Sequence, residues 1–169
     1  MFGCVGAGGT VKNVTIADSY VSGKVNVGDI CGRNDGGTVE NCTSGCTVKG
    51  TGNAVGGICG SNQRGDHVGR VLNCHNTGKV SGKNRIGGVC GGGDDSTNCY
   101  YLDTSAETSK GGTAKTAAEF KSDYVAYLLQ QALNDAAPAQ LPRRFGGSVS
   151  AQTTTLCLAA MLLTRFTNL

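Results

Sequence analysis

Gly36–Asn62, GGTVENCTSGCTVKGTGNAVGGICGSN, decides the fold, because the chain repeats it. An earlier copy runs GGTVKNVTIADSYVSGKVNVGDICGRN from Gly8 to Asn34, and a later one VGRVLNCHNTGKVSGKNRIGGVCGGG from Val68 to Gly93. Asn13, Asn41 and Asn73 match, as do Cys31, Cys59 and Cys90, with 18, 18 and 17 positions between the paired marks. Val21, Val48 and Val80, each two residues before a glycine, form a third shared mark. The step from Asn41 to Asn73 is longer than that from Asn13 to Asn41. Most of the excess lies in Gln63–His67, a polar insertion that reads as a surface loop. Met1–Gly6 resembles the end of a further copy, and Asn98-Cys99 repeats the Asn-Cys step of Asn41-Cys42 and Asn73-Cys74.

A period of this length signals stacked repeats. Within the copy, VENCT, CTVKG and VGGICG each place apolar or small residues at alternate positions, the two-residue period of a strand. The pattern predicts an all-β, Gly-rich parallel β-solenoid of about three and a half rungs, with three strands and three corners per rung, stacked at the ~4.8 Å spacing of paired strands. Glycines are expected to supply positive φ at the corners. Of the 28 glycines, 24 precede Leu102, which disfavours helix there. Three inward ladders follow: Val11, Val39 and Val71; Val27, Val55 and Ile86; Ile30, Ile58 and Val89. Each rung touches only its neighbours, so the ends need capping.

The pattern GTVxNC…VGGICGxN resembles the GLUG-motif repeat of large secreted or cell-surface bacterial proteins. The following NCYYLDTSAE…GGTAKTAAEFKSDYVAYLLQQAL is similar to the segment that often follows such repeats, so the resemblance covers roughly 1–134. It implies a non-catalytic structural or adhesive segment of a bacterial extracellular or surface protein. The implied partners are host or matrix glycans or proteins and neighbouring repeats of a longer parent chain. The alternatives are an accessory segment of a larger secreted peptidase or carbohydrate-active enzyme, or a carbohydrate-binding module.

The 169 residues divide into solenoid repeats at 1–103, a polar linker at 104–115, one or two short helices capping the solenoid at 116–134, and an atypical, disordered tail at 135–169. Thr116 to Glu119 fits a capping box. Ser122 interrupts the helical pattern, and a second helix is expected from Asp123 to about Leu133, packed on the open end of the solenoid over exposed strand edges. Leu156–Leu163 is far shorter than the ~20 residues a membrane span requires. Leu141-Pro142 does not continue into an LPxTG sorting signal, since Arg144 and Phe145 occupy the Thr and Gly places. Nothing at Met1 resembles a signal peptide, which together with the resemblance reads as a fragment of a longer protein.

Net charge is +3 and the repeat region is nearly neutral, so the dense basic patch of a nucleic-acid binder is missing. Trp is absent and aromatics are 5%, which argues against base stacking and weakens a tight sugar site. Nine cysteines cannot all pair internally. Cys31, Cys59 and Cys90 form one class and Cys42, Cys74 and Cys99 another, with Val14 standing for Cys in the first copy. That exchange favours buried thiols acting as small hydrophobes over disulfides or metal ligands. A zinc set of Cys42, Cys46, Cys74 and His75 has permissible spacing. Adjacent Cys74 and His75 would face opposite sides of a strand, however. Asp94-Asp95 after three glycines could suit calcium, but a solvated turn is favoured. Lys24, Lys79, Lys83, Arg85 and Asp29 are scattered singly, unlike the clustered acid and base of a polysaccharide lyase. No HExxH, GxSxG or P-loop occurs. No catalytic, cofactor-binding or metal residue is assigned, and no cofactor is expected.

Overall fold

The computed structural model describes residues 1–64, 66–93, 95–108 and 111–136. The expected tail therefore lies almost wholly outside the described residues, as does Asp94. The chain winds three turns of a parallel β-solenoid, with partial turns at both ends and two C-terminal helices.

In chain order, β1 (Phe2–Gly6) precedes a first turn of β2 (Thr10–Lys12), β3 (Thr15–Gly23), β4 (Val27–Gly28) and β5 (Cys31–Asp35). The second turn holds β6 (Thr38–Glu40), β7 (Thr43–Gly50), β8 (Asn53–Gly56) and β9 (Cys59–Ser61). A hairpin, β10 (Gln63–Arg64) and β11 (His67–Val68), follows. The third turn then runs through β12 (Arg70–Leu72), β13 (His75–Asn76), β14 (Val80–Ser81), β15 (Asn84–Gly87) and β16 (Cys90–Gly92). The end is made by β17 (Ser96–Thr97), β18 (Tyr100–Leu102), β19 (Thr113–Lys115), α1 (Ala117–Lys121) and α2 (Tyr124–Ala136).

Each turn has four walls, where the sequence pattern suggested three strands. The run VENCT breaks at Asn41, and VGGICG bends at Gly57-Ile58 into β8 and β9. Four parallel sheets result: β1-β5-β9-β16, β2-β6-β12-β17, β3-β7 with β13, β14, β18 and β19, and β4-β8-β15. β1 lies in register on β5, Phe2 on Cys31 and Val5 on Asn34, as expected for the end of a further copy. The polar insertion is the antiparallel β10–β11 hairpin, which leaves the stack untouched.

The ladders form as the repeat alignment requires. Val11 and Val71 flank Val39, Val27 and Ile86 flank Val55, and Val21 and Val80 flank Val48. The Ile30 amide donates to the Ile58 carbonyl at 3.0 Å and the Ile58 amide to the Val89 carbonyl at 2.9 Å. Val39, Val48, Val55, Ile58 and Val71 are fully buried. Burial of such side chains contributes about 1.5–3 kcal/mol each.

Glycine supplies positive φ, as expected, at the corner holding Gly8, Gly36 and Gly93, at 76°, 80° and 81°, but not at two others. Asn13, Asn41, Asn73 and Asn98 adopt φ of 58°, 53°, 51° and 51°, so the alignment asparagines are themselves the left-handed residues of one corner. Asparagine tolerates this region better than other L-residues. A second corner uses Asn26, Ala54 and Arg85, at 53°, 62° and 50°. The glycines of the core serve close approach instead. A Cβ on Gly60 would collide with backbone atoms of Asn26, Val27 and Gly32, and one on Gly56 with the carbonyls of Cys59 and Val89.

A buried asparagine pillar joins the turns. Asn34 Nδ2 donates to Asn62 Oδ1 at 2.9 Å and to the Arg70 carbonyl at 3.1 Å; Asn62 Nδ2 donates to the carbonyls of Gly69 at 2.7 Å and Asp95 at 3.0 Å. Val5 takes the equivalent place below.

Residues 104–115, expected as a linker, are partly built into the solenoid: β19 pairs with β18, and Ser105 accepts from the Val80 amide at 2.7 Å. The capping box forms as expected, with the Glu119 amide donating to Thr116 Oγ1 at 3.2 Å and the Thr116 amide to Glu119 Oε2 at 2.8 Å. Ser122 is the C-cap of α1, and Asp123 is a left-handed residue at φ 59° between the helices, so α2 begins at Tyr124 and reaches Ala136. The strand edge of β18 is covered by β19. Helix α1 instead places Phe120 against His75 on the flank, with ring centroids 6.0 Å apart.

Two outcomes are expected from these corners. Gly60→Ala should lower stability by about 1–3 kcal/mol through overpacking. Arg85→Asn, restoring the residue type at Asn26, should raise stability by about 0.5–1 kcal/mol by relieving left-handed strain. Urea unfolding followed by circular dichroism reads both, and an Arg85→Asn protein less stable than the parent would contradict the strain.

Candidate functional site: thiol core, buried centre and outer faces

The two cysteine classes become two stacked columns inside the solenoid. Cys31 and Cys90 flank Cys59 in one, and Cys42, Cys74 and Cys99 follow each other in the second. All six are buried in one apolar cluster with Val39, Ile58 and Val71. All described cysteines are free thiols, and Cys4 alone among them is exposed. In the first column, the hydrogen bond with Cys59 and then burial push the Cys31 thiol far above its ordinary range. In the second, burial and then the contacts with Cys42 and Cys99 push Cys74 well up. Cys31 and Cys74 therefore stay protonated at neutral pH, whereas hydrogen bonds with Cys74 shift Cys42 and Cys99 downward. Their sulfurs make weak contacts to the backbone, as between Cys74 Sγ and the Leu72 carbonyl at 3.1 Å.

The zinc set considered from spacing is not assembled. Cys42 and Cys74 stack in the core, with the Cys42 amide donating to Cys74 Sγ at 3.4 Å. His75 points to the opposite side, under Phe120. Among the described residues no group of three or more His, Cys, Asp or Glu side chains is placed to hold a metal ion. His67 is exposed on the hairpin, and the Asp95 carbonyl is engaged by Val71 and Asn62.

Asp29 lies inside the solenoid. It is 1% exposed and sits where the next two turns have Gly57 and Gly88. This position explains how unlike turns fill one interior. A Cβ at Gly57 would strike Asn76, and one at Gly88 would strike the Tyr101 ring. The large residue thus comes from β13 or β18 wherever glycine stands opposite. In the first turn the large residue is Asp29 itself, facing the shorter Ser44 and Cys46 of β7. Burial first, then the contact with Asp29, raises the Cys46 thiol. Asn76 satisfies itself by donating to the Gly78 and Gly88 carbonyls at 3.0 and 2.9 Å. The Asn34–Asn62 pillar and buried Asp29 were both missed from sequence. The first had a signal, because both asparagines close a CGxN at the same repeat position.

His75 is 5% exposed, and its Nδ1 lies 3.5 Å from Thr43 Oγ1, too far to anchor a charge. Burial pulls its pKa from 6.5 to about 4.

The outer face of β3, β7, β13 and β14 is exposed along β3 and β7 and covered by Phe120 at His75. Register sets four rows across it: Thr15, Thr43 and His75; Ala17, Gly45 and Thr77; Tyr20, Thr47 and Lys79; Ser22, Lys49 and Ser81. A bulge between Ala17 and Tyr20, with Asp18 at φ 53°, turns Tyr20 outward to 62% exposure. At the N-terminal end, Phe2, Val21, Val25, Val27 and Arg33 help line a cleft of about 410 Å³ beside the outer edges of β3 and β4. Among the described residues, no helix is long and apolar enough to cross a membrane.

The family model of the GLUG motif matches residues 51–81. The matched stretch runs from the corner before β8 through β14, one full period taken out of phase with the turns. The chain therefore carries the GLUG motif within a β-solenoid. No curated protein and no solved structure matches the chain.

The neutral His75 makes stability pH-dependent. The unfolded chain binds its proton near pH 6.5 and the folded chain only near 4, so His75-linked stability is full above 6.5 and is lost as pH falls toward 4. The slope is about 1.4 kcal/mol per pH unit, or roughly 3 kcal/mol over the window. His75→Thr, the residue type at Thr15 and Thr43, should remove that component. Urea midpoints from pH 7 to 4 check it, and parallel profiles for the two proteins would refute it.

Proposed function

We propose that this GLUG-motif chain is a non-catalytic structural and adhesive repeat segment of a bacterial extracellular or surface protein. The observation that carries this reading is the parallel stack, in register apart from the one bulge between Ala17 and Tyr20, which turns short polar side chains into outward rows on a rigid support. Partners are glycans or proteins of a host or matrix, met by those rows. Neighbouring repeats of a longer parent chain would stack on the outer edges of β2, β3 and β4, as β1 already does on β5. The sulfurs and the one deeply buried carboxylate described above are engaged in packing, which favours support over chemistry.

A carbohydrate-binding module is the second reading, favoured by exposed Tyr20 beside hydroxyl-bearing rows. An accessory role beside a secreted peptidase or carbohydrate-active enzyme would share the same rod.

The chain displayed on bacterial cells that lack it should increase their retention under flow on mucin- or matrix-coated glass several-fold. The Gly60→Ala protein, if unfolded, should not. Equal retention with and without the displayed chain on every coating would overturn the adhesive reading.

A further inference from the structure

We propose that the outer face of β3, β7, β13 and β14 binds a linear, carboxylate-bearing polysaccharide, lying in the shallow trough over Ala17, Gly45 and Thr77. The inference rests on the adhesive reading and names its ligand class.

The trough arises from side-chain size. Gly45 stands between Ala17 and Thr77, and a Cβ there would meet only ordinary contacts with both, at 3.7–3.8 Å, so the floor is low and open to solvent. One bank is the row Tyr20, Thr47 and Lys79. The other is Thr15 and Thr43, ending at His75 under Phe120 of α1. An extended chain can therefore run across the rungs between a row of hydroxyls and a row ending in an ammonium.

The charge on this face favours an anionic ligand. Lys49 and Lys79 are exposed, and neither is ion-paired among the described residues. Lys24 and Lys83 stand exposed at the corners that follow Gly23 and Gly82. The acids bordering this face are Asp18 at its bulge, on the N-terminal margin, and Asp103 after β18, beside the turn that carries Lys79, so the four lysines outnumber them. Tyr20 offers a flat apolar surface for a sugar ring, and Thr47, Thr77, Ser22 and Ser81 offer hydroxyls that both donate and accept. One aromatic ring and a few separated ammonium groups are too sparse for the stacking and continuous charge of a nucleic-acid groove.

The test uses polygalacturonate as the probe, titrated by calorimetry into the parent chain and into Lys49→Gln/Lys79→Gln and Tyr20→Ala proteins. Saturable binding that weakens with added salt is expected. The double lysine variant should bind about tenfold more weakly, the factor for two solvent-exposed charge contacts. Dextran, matched in length and uncharged, should bind far less. Unchanged circular dichroism keeps a folding defect apart from a lost contact. Absent binding, equal binding by parent and lysine variant, or tighter binding of a single-stranded oligonucleotide would each overturn the proposal. If the lysine variant still adheres under flow like the parent, the adhesive reading stands and this face is not its site. If neither adheres, the adhesive reading fails with it.

Discussion

Parallel register between successive turns is the constraint on which the structure depends. Once the Ile30 amide is tied to the Ile58 carbonyl and the Ile58 amide to that of Val89, every residue must share its environment with the equivalent residue one turn away. An inward position must stay apolar or small, which is why cysteine and valine exchange so readily between Val14, Cys42, Cys74 and Cys99. An inward amide N–H must find an acceptor inside the stack. Asn34 and Asn62 do so by bonding each other and the carbonyls above them. Such a pillar adds directionality that a column of valines lacks, because unpaired amides in the core would cost about 1–3 kcal/mol each.

The interior is narrow, and this narrowness decides where large residues can stand. Asn76 and Tyr101 each fill space that Gly57 and Gly88 leave, while Asp29 fills the corresponding space from the other wall. One wall cannot enlarge unless the facing wall shrinks. This reciprocity restricts the repeat more tightly than hydrophobicity alone and accounts for the high glycine content at positions with unremarkable backbone angles.

Much of this was legible in the sequence because the repeat compares the chain with itself. The valine and isoleucine ladders, both cysteine columns and the Thr116–Glu119 cap follow from alignment and spacing. The fourth wall was not legible, since a strand of two or three residues has no period of its own and the bend at Gly57-Ile58 lies inside an apolar run. The left-handed role of Asn41 was hidden for another reason: asparagine served as the alignment mark, while glycine was credited with the turn. The burial of Asp29 was not legible, because a lone carboxylate gives no sign of facing inward until the facing wall is known. Within the outer face, single lysines and one tyrosine acquire a common setting only when the register of β3, β7, β13 and β14 aligns them.

The β10–β11 hairpin shows what the stack tolerates. It emerges between Asn62 and Gly69, yet Asn62 Nδ2 still reaches the Gly69 carbonyl, so the chain leaves and re-enters at one fixed address. Pitch, register and core are blind to whatever lies beyond that address. A rod built this way can vary its outline corner by corner while its axis stays unchanged, separating the part that measures distance from the part that can be rewritten.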